Sequence, residues 1–273
     1  MTIINTEKWL IETWDDPIEM CEQLEKYFQH VSSSEIYHYL TMHGMYHHPL
    51  QDGESIIQEL RTNNCWEVIR KEEQRLRKLW NGPDIPIFIF PADPNSQELR
   101  KNFNGKSGLA FADKLFLFLA AQNSVSEMKA LFTHEYNHVC RLAKLDKKET
   151  DYVLLDSIII EGLAEYAVLE QFGDEHTAQW TTYHTDVELE NMWQRLIYPM
   201  RHLPKGIRRH HDILYGARLY PKMVGYCVGY YLVHQYAKKY KLTSKELFEI
   251  PSYKIAQITD EKTSYFSGMN DSG

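Results

Sequence analysis

A chain of 273 residues with 43% hydrophobic and 13% aromatic content has enough apolar mass to bury a core, which excludes a mainly disordered protein. Its formal net charge of -8 argues against nucleic acid as the main partner, because phosphate binding needs a basic footprint. The opening MTIINTEKWLIETWDDP lacks the basic start and apolar core of a secretion signal, and no apolar run approaches the ~20 residues of a membrane span.

Residues 6–31 mix apolar and charged positions as a surface helix does. From Ile56 to Trp80, apolar residues at Ile56, Ile57, Leu60, Cys65, Trp66, Ile69, Leu76 and Leu79 predict one or two amphipathic helices. Asn81-Gly82-Pro83 stops that pattern. The period then changes: Ile85 to Phe90 (IPIFIF) is short, apolar and β-prone, and predicts a buried strand closed by Pro91 and Pro94. Residues 104–108 read as a loop. Gly108–Ala112 and Leu115–Leu119 read as two further strands, with a turn at Asp113-Lys114. Helices are expected at about 124–143 and 154–172, a loop over 199–221, and a helix over about 221–240. Strands grouped ahead of long helices predict an α+β fold, predominantly helical.

The chemistry concentrates at His134-Glu135-Tyr136-Asn137-His138. This HExxH run lies in an amphipathic stretch that starts with the capping-box pattern Ser124-Val125-Ser126-Glu127. On a helix, His134 and His138 share a face one turn apart, so both imidazoles can bind one Zn²⁺ at ~2.0–2.1 Å. Glu135 sits between them, badly placed to ligate but able to act as general base on water at the ion. A catalytic zinc takes three protein ligands and one open position. The run LLDSIIIEGLAEYAVLEQFG, helical by pattern and ending at Gly173, offers Glu161 as the third ligand. Glu165, one turn on, is placed to accept the free N–H of a ligating imidazole, most naturally that of His134, and to fix its orientation. Taken alone, HExxH also arises by chance on solvent-exposed helix faces. The following Glu-x-x-x-Glu makes chance a poor explanation.

HEYNHVCR followed by EGLAEY resembles the gluzincin metallopeptidases, whose third ligand is a Glu on a second helix. More narrowly, it resembles the YjaZ-like family of predicted zinc-dependent proteases. In that family a downstream Gly-Tyr-x-x-Gly-Tyr also recurs; here it is Gly225-Tyr226-Cys227-Val228-Gly229-Tyr230. The resemblance spans residues 85–240. It implies a zincin-like fold and a peptidase role, without naming the substrate; the strands read above put a small sheet ahead of the HExxH helix, and the expected partner is a peptide or protein. Thermolysin-like enzymes carry Asp one turn after the ligand Glu, where this chain has Glu165. The expected organisation is an N-terminal helical region (1–82), a zincin-like catalytic domain (83–260) and a flexible tail (261–273).

The proposed reaction is zinc-assisted hydrolysis with Glu135 as base, and Tyr226 is the candidate donor to the oxyanion. Most of the 18 tyrosines are packing residues, which is the plain alternative for Tyr226. The Gly105–Ala112 stretch is a candidate edge strand for an extended peptide, with an ordinary core hairpin as the alternative. His43, His47 and His48 lack an intervening carboxylate and end at Pro49, so they read as ordinary histidines. His202, His210 and His211, with Arg201, Arg208 and Arg209, read as a solvated basic loop or an anion site. Arg141 reads by default as a structural residue, with pairing to a Glu or Asp of the second helix as the alternative. Cys21, Cys65, Cys140 and Cys227 show no metal spacing and read as reduced thiols of a cytoplasmic protein. Three rival functions remain: a zincin-scaffold metal-binding protein without catalysis, a zinc hydrolase of non-peptide amides or esters, and, weakest, a metal-free helical protein.

Overall fold

The structure is a computed structural model that describes residues 2–47, 53–145 and 147–258. The expected tail at 261–273 and the residues His48 and Pro49 lie outside the described residues.

The stretch 6–31 holds two helices rather than one, α1 (Thr6–Thr13) and α2 (Pro17–Glu22). Pro17 cannot continue a helix from residues before it, but it suits the first position of a new one. The Asp16 carboxylate accepts the N–H groups of Ile18 and Glu19 there. Helix α3 (Ser33–Met42), with a Ser32/Glu35 capping box, was not foreseen. Helices α4 (Gly53–Thr62) and α5 (Cys65–Trp80) fill the expected amphipathic stretch, divided at Asn64, whose φ of 52° is left-handed.

The sheet follows. Strand β1 (Ile87–Pro91) starts two residues later than the sequence suggests. After the short helix α6 (Gln97–Asn102) come β2 (Ser107–Ala110) and β3 (Leu115–Leu119). The order is β1-β3-β2, with β1 parallel and β2 antiparallel to β3. Every residue of β1 and β3 is buried, which explains why both are unbroken apolar runs rather than alternating ones. The N-terminal segment covers the outer edge of β1: Ile4 N–H donates to Ile87 O, and Ile87 N–H donates to Thr2 O. Strand β2 forms the opposite edge, half-buried and against α7 (Val125–Lys144).

Helix α7 opens with the Ser124/Glu127 capping box and buries Met128, Phe132, Tyr136 and Val139. Helix α8 (Leu154–Phe172) lies between α7 and α11 (Val224–Tyr240), which comes later in the chain. Being covered on two sides, α8 is apolar on most of its circumference. Between them lie α9 (Asp186–Met192) and α10 (Arg208–Tyr215). Helix α10 corrects the expected loop at 199–221. Its sequence RRHHDILY places its apolar residues only in the second half, so no period shows. Two short helices, α12 (Ser244–Leu247) and α13 (Ser252–Ile255), end the described chain.

Buried apolar residues fall into two clusters. One joins the N-terminal helices, the sheet and the apolar face of α7; the other joins α8 to α11 and the C-terminal helices. The seam between α7 and α8 is where the charged site lies.

Candidate metal centre

His134 and His138 stand one turn apart on α7, their rings 4.8 Å apart and almost perpendicular at 89°. Helix α8 brings Glu161 Oε2 to 3.4 Å from His134 Nε2 and 3.6 Å from His138 Nε2. Among the described residues, this is the group of histidine, cysteine and carboxylate side chains whose donor atoms converge closely enough to hold an ion. Ligands at ~2.0–2.1 Å from a tetrahedral zinc stand ~3.3–3.4 Å from one another. The two histidine–glutamate separations, 3.4 and 3.6 Å, are close to that spacing, and all three donors lie within 4.8 Å of one another. Two imidazoles and a carboxylate are also a set that catalytic zinc uses, with one position left open.

Glu165, buried one turn along α8, spans two partners. Its Oε2 lies 2.9 Å from His134 Nδ1, and its Oε1 accepts the Ala178 N–H at 2.5 Å. The carboxylate therefore favours the tautomer that leaves Nε2 facing Glu161.

Burial disfavours an imidazolium at His134, but hydrogen bonds to Glu161 and Glu165 outweigh it and raise its pKa well above the ordinary value. Burial also disfavours a carboxylate at Glu161, yet the charge and hydrogen bonds of His138 and His134 hold its pKa well below the usual range. Such mutual stabilisation marks a place where positive charge is favoured, and a divalent cation competes with protons for the same atoms.

Glu135 points to the sheet side of α7 and is 8% exposed. Burial pushes its pKa up, against the pull of His138 and His134. Tyr226, from the first turn of α11, is half-buried with its ring 5.4 Å from that of Tyr215, and burial and the neighbouring Glu161 carboxylate raise its pKa well above the ordinary value. The structure therefore gathers His134, His138, Glu161, Glu165, Glu135 and Tyr226 around one place.

Sequence reasoning missed two neighbours. Tyr215 ends α10 with its ring 5.4 Å from that of Tyr226, and 41% of the residue is exposed. Nothing local distinguishes it from the other tyrosines, because the fold of 199–221 brings it here. The second is Gly108 of β2, whose backbone lies against Glu135.

The remaining candidates take structural places. His43 packs against Tyr39, the rings 4.7 Å apart and tilted by 58°, and its carbonyl accepts from Ser107 Oγ at 2.8 Å. His47 Nδ1 lies 3.2 Å from Asp93 Oδ2. His210 is buried between Ser157 Oγ and the Leu203 carbonyl, and His211 packs on Tyr215 at 4.5 Å. Arg201 stacks over Tyr198 at 4.1 Å. Arg141 is structural: one guanidinium nitrogen donates to the carbonyls of Leu247, Phe248 and Ile250, anchoring the C-terminal segment to α7. All four cysteines are buried and unpaired. No described helix is long and apolar enough to cross a membrane.

A family model described as predicted Zn-dependent protease (DUF2268) matches residues 65–257, and the chain belongs to that family. It is 42% identical over 214 residues to the uncharacterized protein YjaZ of Bacillus subtilis (strain 168), covering 78% of this chain and 82% of that one. It is 25% identical over 213 residues to the uncharacterized protein YjfC of the same strain, covering 72% of this chain and 70% of that one. No solved structure matches the chain.

Proposed function

We propose that the chain is a zinc-dependent peptidase of gluzincin type, with a zincin-like catalytic unit at 83–260 backed by the helices of 1–82. The observation that carries this reading is the convergence of Glu161 Oε2 on His134 Nε2 and His138 Nε2, at 3.4 and 3.6 Å. Membership of a family described as predicted Zn-dependent proteases supports it.

His134, His138 and Glu161 would hold the ion, and Glu165 would keep the His134 ring in register. Zinc bound there supplies Lewis acidity, polarising a carbonyl and bringing the pKa of water from ~15.7 towards ~7. Glu135 takes the proton of the attacking water and delivers it to the departing amine. The Tyr226 hydroxyl is positioned to donate to the oxyanion of the tetrahedral intermediate. The exposed side of β2 offers backbone to an extended peptide. Four buried, unpaired cysteines favour a reducing compartment such as the cytoplasm.

The test is purification of the chain, elemental analysis, and hydrolysis of a mixed peptide library alongside small amides and esters. One zinc per chain with peptide turnover is expected, and Glu135→Gln is expected to keep the zinc and abolish turnover. Stoichiometric zinc without turnover on any substrate would replace the enzyme with a metal-binding scaffold. Turnover of small amides alone would move the substrate class.

A further inference from the structure

Gly108 occupies an interior position of β2, paired with Leu117 of β3. Glycine weakens a strand interior and needs a reason there. Backbone conformation does not supply one. Gly44, Gly105, Gly173 and Gly216 have positive φ, and Gly108 does not. Space does. A Cβ on Gly108 would lie 2.3 Å from Glu135 Cγ, 2.5 Å from its Cδ and 2.6 Å from its Oε1. Carbon atoms in contact settle at ~3.5–4.0 Å. The three nearest atoms all belong to Glu135, and none belongs to His134, His138 or Glu161.

The collision is with the stem of Glu135 as well as its tip. Turning the carboxylate does not relieve a clash at Cγ; only a new χ1 rotamer or a shift of β2 does. Helices leave few χ1 alternatives, and β2 is pinned from both ends of its register. Ser107 Oγ donates to the His43 carbonyl at 2.8 Å, and Phe111 N–H donates to the Lys114 carbonyl at 2.9 Å.

We infer that Gly108 is a positioning residue for the proposed general base: its bare backbone is the wall that fixes Glu135 beside the two imidazoles. The inference rests on the reading of Glu135 given above. It assigns the edge strand a second task besides any contact with substrate. A side chain at 108 dislodges the base and leaves the three donor atoms in place.

The experiment is Gly108→Ala in the full chain, alone and combined with Glu135→Ala, which removes the colliding atoms. Zinc stoichiometry is expected to be unchanged in all variants. Gly108→Ala alone is expected to lower the melting temperature by about 5 °C. In the Glu135→Ala background the same change is expected to cost nothing or to stabilise, because alanine suits a strand better than glycine. On a peptide that the wild type cleaves, Gly108→Ala is expected to lower kcat about 100-fold, in line with a ~1 Å misplacement of a reacting group, with KM changed less. Equal losses of melting temperature in the two backgrounds would overturn the inference, as would full kcat in Gly108→Ala. The melting comparison needs no turnover. A chain that cleaves nothing therefore sinks the peptidase reading, while the cycle still decides whether Gly108 fixes Glu135.

Discussion

The carboxylate of Glu165 joins the candidate ligand His134 to the backbone at Ala178. Replacement by Gln keeps the shape and an acceptor but removes the charge that opposes a proton or cation on the imidazole. Glu165→Gln is expected to weaken zinc affinity 10–100-fold, measured by competition with a chromophoric chelator; an unchanged affinity would make Glu165 a packing residue. The two tyrosines separate by a similar argument. Tyr226 lies beside the candidate ligand Glu161, whereas Tyr215 packs on Tyr226 from the more exposed side. Tyr226→Phe is expected to lower kcat about 10²-fold with zinc retained, and Tyr215→Phe to cost less. Wild-type rates in Tyr226→Phe would remove it from the chemistry. Of these residues, the two histidines and three glutamates were legible because helical spacing alone sets which of them share a face. Gly108 and Tyr215 were not, because their roles depend on contacts between segments that no local pattern records.

Helix α7 was readable almost to the residue, since its start is written in side-chain chemistry. Ser124 and Glu127 cap each other's backbone, and Glu127 also accepts from Asn104 and pairs with Lys106 at 3.4 Å. Burial opposes ionisation of Glu127, but hydrogen bonds from Ser124 and Asn104 and the charge of Lys106 lower its pKa from 4.5 to about 2. A depressed folded pKa means that its contribution is complete above about pH 4.5 and is lost as pH falls towards 2. Glu127→Gln is therefore expected to cost about 1 kcal/mol at pH 7, seen as a lower melting temperature, and the gap from wild type should narrow below pH 4.5. A gap constant with pH would contradict the assigned ionisation. Helix α8 was legible for a different reason: it is apolar nearly throughout and ends at Gly173, whose φ is 86°. Helix α11 was legible too, but its crossing with α8 was not: it depends on Gly229, where a Cβ would lie 1.8 Å from the Ile158 carbonyl oxygen, and on Gly162, where a Cβ would lie 2.3 Å from Gly229 O. That seam sets how close Tyr226 comes to Glu161. Gly229→Ala is expected to destabilise by about 1–3 kcal/mol and to weaken zinc binding at the same time, which thermal melts with and without zinc would register. Helix α10 stayed hidden because its N-cap, Ile207, makes no side-chain capping bond.

The two apolar clusters meet along α7 and α8, and the candidate ligands divide between them. His134 and His138 belong to the helix that backs the sheet, and Glu161 to the helix flanked by Ile158, Ile159 and Leu163 of the other cluster. A bound ion would thus tie the two halves together, and its affinity for the folded chain alone would appear as stability. With free zinc at 1,000 times the dissociation constant, the gain is about 4.1 kcal/mol, which for a chain of this size corresponds to a rise of about 8–16 °C in melting temperature. Chelation should remove the rise and added zinc restore it. His138→Ala, which deletes one donor and leaves the Glu165–His134 contact intact, should melt at the same temperature with and without the metal. A wild-type chain whose melting ignored zinc, or a His138→Ala variant that responded as fully as wild type, would mean that the three donors converge for structural reasons alone.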